Sequence, residues 1–155
     1  GPPDAHVGSG RQRTRAELQA ALARRNVPED AAREVLDRFT EVGLLDDAAF
    51  ARDWVAGGAR RMRGRRVIAQ ELATKGVAKE LIDDALAATD PCDDVEVARA
   101  LARRKLRGMT GLDRQVRFRR LCAALERRGF PRGVIIDVVR DVLDDDPGDD
   151  LPDDA

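Results

Sequence analysis

Apolar residues recur along this chain at the spacing of amphipathic helices. The capping box Thr14-Arg15-Ala16-Glu17 opens the first such segment, because its hydroxyl and carboxylate can each bond a free backbone amide. Asn26 ends that segment. The apolar positions of the next segment have the i, i+3, i+4, i+7 spacing of a buried stripe: Ala32, Val35, Leu36 and Phe39. The pattern predicts two helices before Gly43, each with one buried face.

Six further segments have the same helical character. Asp46 can cap the first of them, since Leu45 and Phe50 stand at the two positions of a hydrophobic staple. Asp93 or Asp94 is the expected cap of a later one. The predicted helices lie near residues 46–62, 65–75, 78–89, 94–107 and 113–128, with a last one after Pro131. The clearest buried stripe is Phe118, Leu121, Cys122 and Leu125. We therefore expect an all-α fold.

One short pattern occurs three times: Leu22–Pro28, Leu72–Ala78 and Leu125–Pro131. Each copy runs Leu, two spacers, a basic residue, a helix-ending Asn or Gly, an apolar residue, and Pro or Ala. The offsets of 50 and 53 residues indicate a repeated unit of that length. Such units share one core with their neighbours, and their surfaces usually serve binding rather than catalysis.

Grouping the helices gives tandem three-helix repeats that form an elongated, curved array. The N-terminal repeat lacks its first helix, which would precede Thr14. The expected organisation is a disordered segment 1–13, repeats 14–43, 44–90 and 91–143, and a disordered acidic tail 144–155.

Composition narrows the class of protein. Hydrophobic residues make up 43% of the 155, yet only 3% are aromatic and none is Tyr. No apolar run approaches the roughly 20 residues of a membrane span, and no secretory signal opens the chain. Cys92 and Cys122 have no motif spacing, which favours reduced thiols over a disulfide. We expect a cytoplasmic protein without membrane contact, and nothing demands more than a monomer.

Known catalytic and metal-binding patterns are missing from the sequence. His6 is the only histidine and lies in the expected disordered start, so no His-based triad or metal site can form. The glycines of 57–58 and 108–111 lack the Lys-Ser/Thr ending of a phosphate-binding loop and suit helix ends or hinges. Helix capping accounts for Asp46-Asp47 and Asp93-Asp94 better than metal binding does. We expect no enzyme, no cofactor and no metal.

The net charge of −1 conceals a strong asymmetry. Residues 144–155 carry seven Asp and no base, whereas residues 99–132 carry twelve Lys or Arg against Asp113 and Glu126. Dense clusters of cations can be solvated helix faces, but here they are poor in acids and are our candidate binding site. The candidates are Arg60, Arg61, Arg63, Arg65, Arg66, Arg103, Arg104, Lys105, Arg107, Arg117, Arg119 and Arg120.

Arginine can fork onto phosphate or carboxylate oxygens, which suits DNA or an acidic protein surface. Without Tyr, and with Phe mostly on core stripes, the chain has no platform for stacking bases. Contact with single- or double-stranded DNA should then be weak, backbone-directed and sensitive to salt. Trp54 stands four residues after Phe50, which favours packing on the inner face, whereas exposure would make it an interface anchor.

The ordered set Gly43–Val55, Gly64-Arg65-Arg66 and Leu72–Val77 resembles the RecX family, bacterial regulators of the RecA recombinase. Arg15–Leu18 and Val35–Arg38 are similar to its first repeat, so the resemblance covers about residues 12–143. It implies tandem three-helix repeats and binding along the groove of the RecA filament on single-stranded DNA. It also implies suppression of ATP hydrolysis, strand exchange and coprotease activity. The absent first helix and the acidic tail depart from the family pattern.

Two other functions remain open on the residues alone. The tandem helical units could bind DNA autonomously, in the manner of helix-turn-helix modules, or could serve as a scaffold for another acidic protein. For regulation of RecA, the cluster Arg60, Arg61 and Arg63 is the expected determinant of inhibition. The acidic tail would shield the basic face from nonspecific DNA, so deleting residues 144–155 should strengthen binding to bare DNA.

Overall fold

A computed structural model describes residues 12–146, and this part of the chain is helical without strands. It contains eight helices: α1 Arg15–Arg24, α2 Glu29–Glu41, α3 Asp47–Arg60, α4 Arg65–Thr74, α5 Lys79–Ala87, α6 Pro91–Leu106, α7 Arg114–Arg127 and α8 Arg132–Asp144. The predicted all-α class is confirmed. None of these helices combines the length and apolar character needed to cross a bilayer.

The described residues divide into two compact units. The first extends to Val55 and includes Ala69–Ala87, and the second comprises Ala56–Ile68 and the residues from Ala88 onward. The boundaries fall inside α3 and α4, so each of these helices contributes to both units. The expected disordered segments, His6 among them, lie outside the described residues except for positions 12–13 and 144–146.

Helices α6, α7 and α8 enclose the core of the second unit. Leu121 and Leu125 of the predicted α7 stripe are fully buried, while Phe118 and Cys122 pack at the edge of this core. The Cys122 thiol is free, and its burial raises its pKa above the usual range. The charge of Arg140 opposes that shift and Glu126 adds to it. Cys122 is therefore a neutral thiol at physiological pH, as a packing role requires.

Two apolar residues of α2 depart from the prediction. Ala32 and Leu36 are buried, but Val35 is 42% and Phe39 38% exposed. Counted from the preceding prolines, they correspond to Val138 and Val142 of α8, which are buried in a core that α6 completes. In the first repeat, no described helix precedes α1. The apolar face of α2 was predicted correctly from its period, but its burial depends on a neighbour that the period cannot show.

The predicted caps Thr14 and Asp46 are confirmed, whereas the predictions for Gly57-Gly58 and for Asp94 are wrong. Asp46 caps α3 by accepting from the amide of Ala49 at 3.0 Å, as expected. Gly57 and Gly58 lie inside α3 rather than at a helix end, and a β-carbon on Gly58 would lie 2.5 Å from Ile68. Asp94 lies in the first turn of α6 and is not its cap, because the helix begins earlier at Pro91.

The repeated Leu–basic–Gly pattern marks a contact that occurs twice. In the first joint, the N-terminus of α1 packs on the turn after α4, and the Thr14 hydroxyl donates to the carbonyl of Lys75 at 2.6 Å. In the second joint, the N-terminus of α4 packs on the turn after α7, and the amide of Gly64 donates to the carbonyl of Arg128 at 2.6 Å. Each joint thus supplies donors to carbonyls that a helix end leaves without partners.

Both joints require glycine at the turn. A β-carbon on Gly76 would lie 2.2 Å from that of Ala16, and one on Gly129 would lie 2.5 Å from the amide nitrogen of Val67. Asn26 holds the equivalent position in the first repeat, with a positive φ of 63° and an exposed side chain. The variation between Asn and Gly in the repeated pattern therefore follows from whether a helix packs on the turn.

Replacing Thr14 with Val should destabilise the protein by about 2 kcal/mol, whereas Thr14→Ser should cost under about 1 kcal/mol. The Thr14 side chain is fully buried and accepts from the amide of Glu17 at 3.1 Å while it donates to Lys75. Valine keeps the shape and leaves both partners unpaired. Urea denaturation of wild type and both variants measures the difference. Equal midpoints for Thr14→Val and Thr14→Ser would refute the role of the hydroxyl.

Candidate functional site

Most of the predicted cationic residues are exposed, and three are not. Arg60, Arg61, Arg66, Arg103, Arg104, Lys105, Arg107, Arg119 and Arg120 are exposed, whereas Arg63, Arg65 and Arg117 are half-buried. The side chains of the exposed set face solvent, so they can contact a partner directly. The half-buried set has contacts inside the protein.

Arg65 is held within the second unit. Its Nε contacts the carboxylate of Asp94, and its Nη2 donates to the hydroxyl of Thr89 at 2.6 Å and to the Thr89 carbonyl at 3.2 Å. These bonds tie the start of α4 to the start of α6. Arg65 was predicted as a binding residue because it stands in a basic tract, and the structure gives it a packing contact as well.

Arg117 was also predicted as a binding residue, and the structure covers most of its side chain. Its side chain is only 13% exposed, and Nη1 lies 3.2 Å from Oδ2 of Asp146. The ion pair joins α7 to the residues just after α8. Sequence reasoning missed it because the partner is 29 residues away, in the acidic segment that we treated as a disordered tail.

A first group of cations surrounds the second joint. Arg66 and Arg132 line a concavity of about 270 Å³, with Glu126 and Phe130 also in its wall. The Arg66 guanidinium donates to the carbonyl of Glu126 at 2.8 Å, and Arg128 donates to the carbonyl of Arg61 at 3.0 Å. We call Arg60, Arg61, Arg66 and Arg132 the joint cluster.

Two members of this region were not predicted. Arg128 is the basic residue of the repeated pattern, and Arg132 follows the proline that restarts the chain. The repeated pattern could have indicated Arg128, because the equivalent residue Lys75 is also part of a joint. What the sequence did not show is that the turn after α7 meets the start of α4, far away along the chain.

A second group of cations lies at the end of α6. Arg103 and Arg107 line a concavity of about 610 Å³ together with Arg117 and the loop residues 109–112. Arg104 and Lys105 are exposed on the same helix. We call Arg103, Arg104, Lys105 and Arg107 the loop cluster. Among the described residues, no ion pair joins a member of this cluster to a carboxylate.

Trp54 packs within the first unit, and part of its side chain remains exposed to solvent. Its ring stacks on Phe50 with centroids 5.7 Å apart, and Nζ of Lys75 lies 4.7 Å from the ring centroid. The indole Nε1 donates to the carboxylate of Glu71 at 3.1 Å. The Trp54 ring packs against its neighbours, as the four-residue spacing from Phe50 predicted. Trp54 is therefore a structural residue here rather than a free interface anchor.

The exposed groups of the two clusters are groups that bind anions. Within residues 12–146, no group of three or more His, Cys, Asp or Glu side chains is placed to hold a metal. The joint and loop clusters both carry guanidinium groups at the surface, which can bond phosphate or carboxylate oxygens in pairs. The exposed apolar residues Val35, Phe39, Val42 and Leu44 add a surface that sequence reasoning did not foresee.

Three family profiles match the chain in order. They describe the first, second and third three-helix domains of RecX, and they match residues 9–39, 46–86 and 93–139. Together they cover more than half of the 155 residues.

Comparison with individual proteins indicates the same family as the profiles. The chain is 48% identical over 139 residues to the regulatory protein RecX of Streptomyces coelicolor, covering 89% of this chain and 74% of that protein. It is 42% identical over 133 residues to the regulatory protein RecX of Thermobifida fusca, with coverage of 85% and 72%. The crystal structure of RecX from Lactobacillus salivarius superposes with a TM-score of 0.80 at 22% identity, over 90% of this chain and 92% of that one.

Proposed function

This chain belongs to the RecX family of regulatory proteins, and from that premise we propose that it is a negative regulator of the RecA recombinase. It binds the RecA filament on single-stranded DNA along the filament groove. There it suppresses ATP hydrolysis, strand exchange and coprotease activity. The protein acts as a cytoplasmic monomer built from the repeats 14–43, 44–90 and 91–143.

The observation that carries the proposal is the excess of exposed cations on the family's repeat fold. Of the twelve cations in residues 99–132, three are paired with acids of α8 or just beyond it: Arg99, Arg114 and Arg117. The loop cluster has no such partner among the described residues. A surface that keeps several unneutralised guanidinium groups is suited to an acidic protein face or a phosphate backbone.

The two clusters belong to different parts of the repeat plan. The joint cluster combines residues at the end of α3 and the start of α4 with the start of α8, while the loop cluster stands at the end of α6. Two separate cationic surfaces can engage two acidic sites of a repeating partner, as a filament of identical subunits provides. Simultaneous engagement raises affinity well above that of either surface alone.

Inhibition follows if the protein prefers one state of the filament. A bound effector shifts an equilibrium only by the difference between its affinities for the two states. Contacts that span two neighbouring RecA subunits fix the distance between those subunits. If that distance is the one found in an inactive filament, the cycle of ATP hydrolysis would stop. The geometry of a single subunit need not change for this mechanism to operate.

Direct DNA contact is a secondary element of the proposal. The described rings of Phe50 and Phe130 are buried and Trp54 is stacked on Phe50, so Phe39, 38% exposed, is the one described aromatic ring open to a base. Contact through Arg and Lys alone reads phosphates and not sequence. We therefore propose weak backbone contact with single- and double-stranded DNA, rather than base recognition.

A binding comparison tests the proposal. We expect the protein to bind RecA filaments on oligothymidine at least about tenfold more tightly than the same oligonucleotide alone at about 150 mM salt, since bare-DNA affinity falls steeply with salt. Fluorescence anisotropy with labelled DNA gives both constants. Equal affinity for filament and bare DNA would instead support the alternative function, an autonomous nonspecific DNA-binding protein.

A further inference from the structure

The concavity beside the loop cluster has the properties of a binding site for an acidic peptide that carries one apolar residue. We propose that residues 147–155 of this chain, Pro-Gly-Asp-Asp-Leu-Pro-Asp-Asp-Ala, occupy it in the free protein. This intramolecular contact covers the loop cluster and must be displaced before a partner binds there. It does not depend on which partner that is.

The composition of the concavity matches this segment. Apolar side chains from the end of α6, the following loop and α8 contribute to its wall: Leu106, Met109, Leu112 and Val142. The same wall carries Arg103, Arg107 and Arg117 against Asp145 and Asp146, so its formal charge is positive. Leu151 is the one leucine of the segment and is flanked by Asp149-Asp150 and Asp153-Asp154. Burial of a leucine among such side chains is favourable, and the flanking carboxylates face opposite charge.

The chain leaves the described residues at this concavity. Asp145 and Asp146, the last two described residues, line it. Leu151 is five residues beyond Asp146, a separation that an extended chain spans with about 17 Å. That reach is enough to cross an open concavity of about 610 Å³ and to return toward the end of α6.

The acids that precede the segment already pair with the basic face. Asp141 lies 3.7 Å from Arg99, Asp144 lies 2.5 Å from Arg114, and Asp146 lies 3.2 Å from Arg117. Each pair joins the C-terminal part of the described chain to α6 or α7. Four more aspartates follow in residues 147–155. The proposed contact continues this series of pairings onto the remaining cations, Arg103 and Arg107.

A substitution that keeps the charge separates docking from simple electrostatic shielding. In the full chain, Leu151→Ser leaves every aspartate in place and removes the apolar contact. Leu44→Ser is the matched control, because Leu44 is 72% exposed and lies in the first unit. Two-dimensional amide NMR spectra of the three proteins report on Met109, Gly111 and Leu112, which line the concavity.

We expect Leu151→Ser to shift the amide signals of the concavity, and Leu44→Ser to leave them unchanged. The same signals should move when wild type is taken to high salt, since the ion pairs weaken. A second variant, with Asp149, Asp150, Asp153 and Asp154 changed to Asn, should reproduce the shifts. Its control neutralises four exposed acids elsewhere, Glu34, Asp53, Asp84 and Asp137, and should not.

Concavity signals that are identical in wild type, Leu151→Ser and the tail variant would overturn the proposal. The test involves neither RecA nor DNA, so its failure is separate from failure of the proposed function. If docking holds, Leu151→Ser should also tighten oligothymidine binding by about two- to fivefold at low salt, because the loop cluster is uncovered without a change in net charge. Unchanged binding together with unchanged spectra would place the segment outside the concavity.

Discussion

Gly129→Ala should destabilise the protein by about 3–5 kcal/mol, one of the largest effects of any single substitution in this chain. Gly129 has a φ of +91°, and its new β-carbon would meet the backbone nitrogen of Val67 at 2.5 Å. Backbone cannot move aside as a flexible side chain can, so the second joint must open. Its hydrogen bonds, from Gly64 and Arg66 to the turn after α7, would be lost or strained.

Gly111→Ala is the matched control for this prediction. Its φ of +82° is nearly the same, but no atom lies within 4 Å of the position of an added β-carbon. It should therefore cost only the left-handed conformation, about 1–2 kcal/mol. Chemical denaturation of both variants compares the free energy of unfolding. If Gly129→Ala and Gly111→Ala were equally destabilising, the joint would not be the reason for glycine in the repeated pattern.

Reversing three charges of the joint cluster should raise the protein concentration needed for half-inhibition of RecA by at least about tenfold, because like charges at an interface repel strongly. The variant is Arg60→Glu, Arg61→Glu and Arg132→Glu. None of these guanidinium groups forms an ion pair with a described carboxylate, so the fold should be unaffected. The readout is the rate of ATP hydrolysis by RecA on single-stranded DNA.

The control carries the same change of charge elsewhere. Arg24→Glu, Arg25→Glu and Arg38→Glu alter three exposed arginines of the first repeat that also form no ion pair among the described residues. We expect this variant to inhibit within about twofold of wild type, allowing only for the change in net charge. Equal loss in both variants would mean that total charge, and not the joint cluster, determines inhibition.

The sequence predicted the helices well because their signals are local. Caps such as Thr14 and Asp46 and stops such as Asn26 and Gly43 act within a few residues, and the structure places helix ends near each of them. The apolar period of α2 was equally clear. The predicted burial of Val35 and Phe39 was wrong because burial depends on neighbouring helices that a period cannot show, and no described helix precedes α1.

The candidate site was less accessible to sequence reasoning. A basic tract shows which residues are charged, but the partner of Arg65 is 29 residues away and that of Arg117 equally far. These contacts arise from tertiary packing. The joints explain why: residues of one repeat meet the turn of the next, so Arg66 and Arg132 share a concavity that no linear motif connects. The sequence showed the repeated glycine but not the helix N-terminus that packs against it.

The most direct measurement of the central claim is RecA-catalysed ATP hydrolysis on single-stranded DNA during titration with this protein. Regulation of the filament predicts strong inhibition at protein levels far too low to coat the DNA, and the inhibition should persist when the DNA is already saturated with RecA. Hydrolysis that stays unchanged until the protein covers the DNA would contradict the claim, and would identify competition for DNA as its only effect.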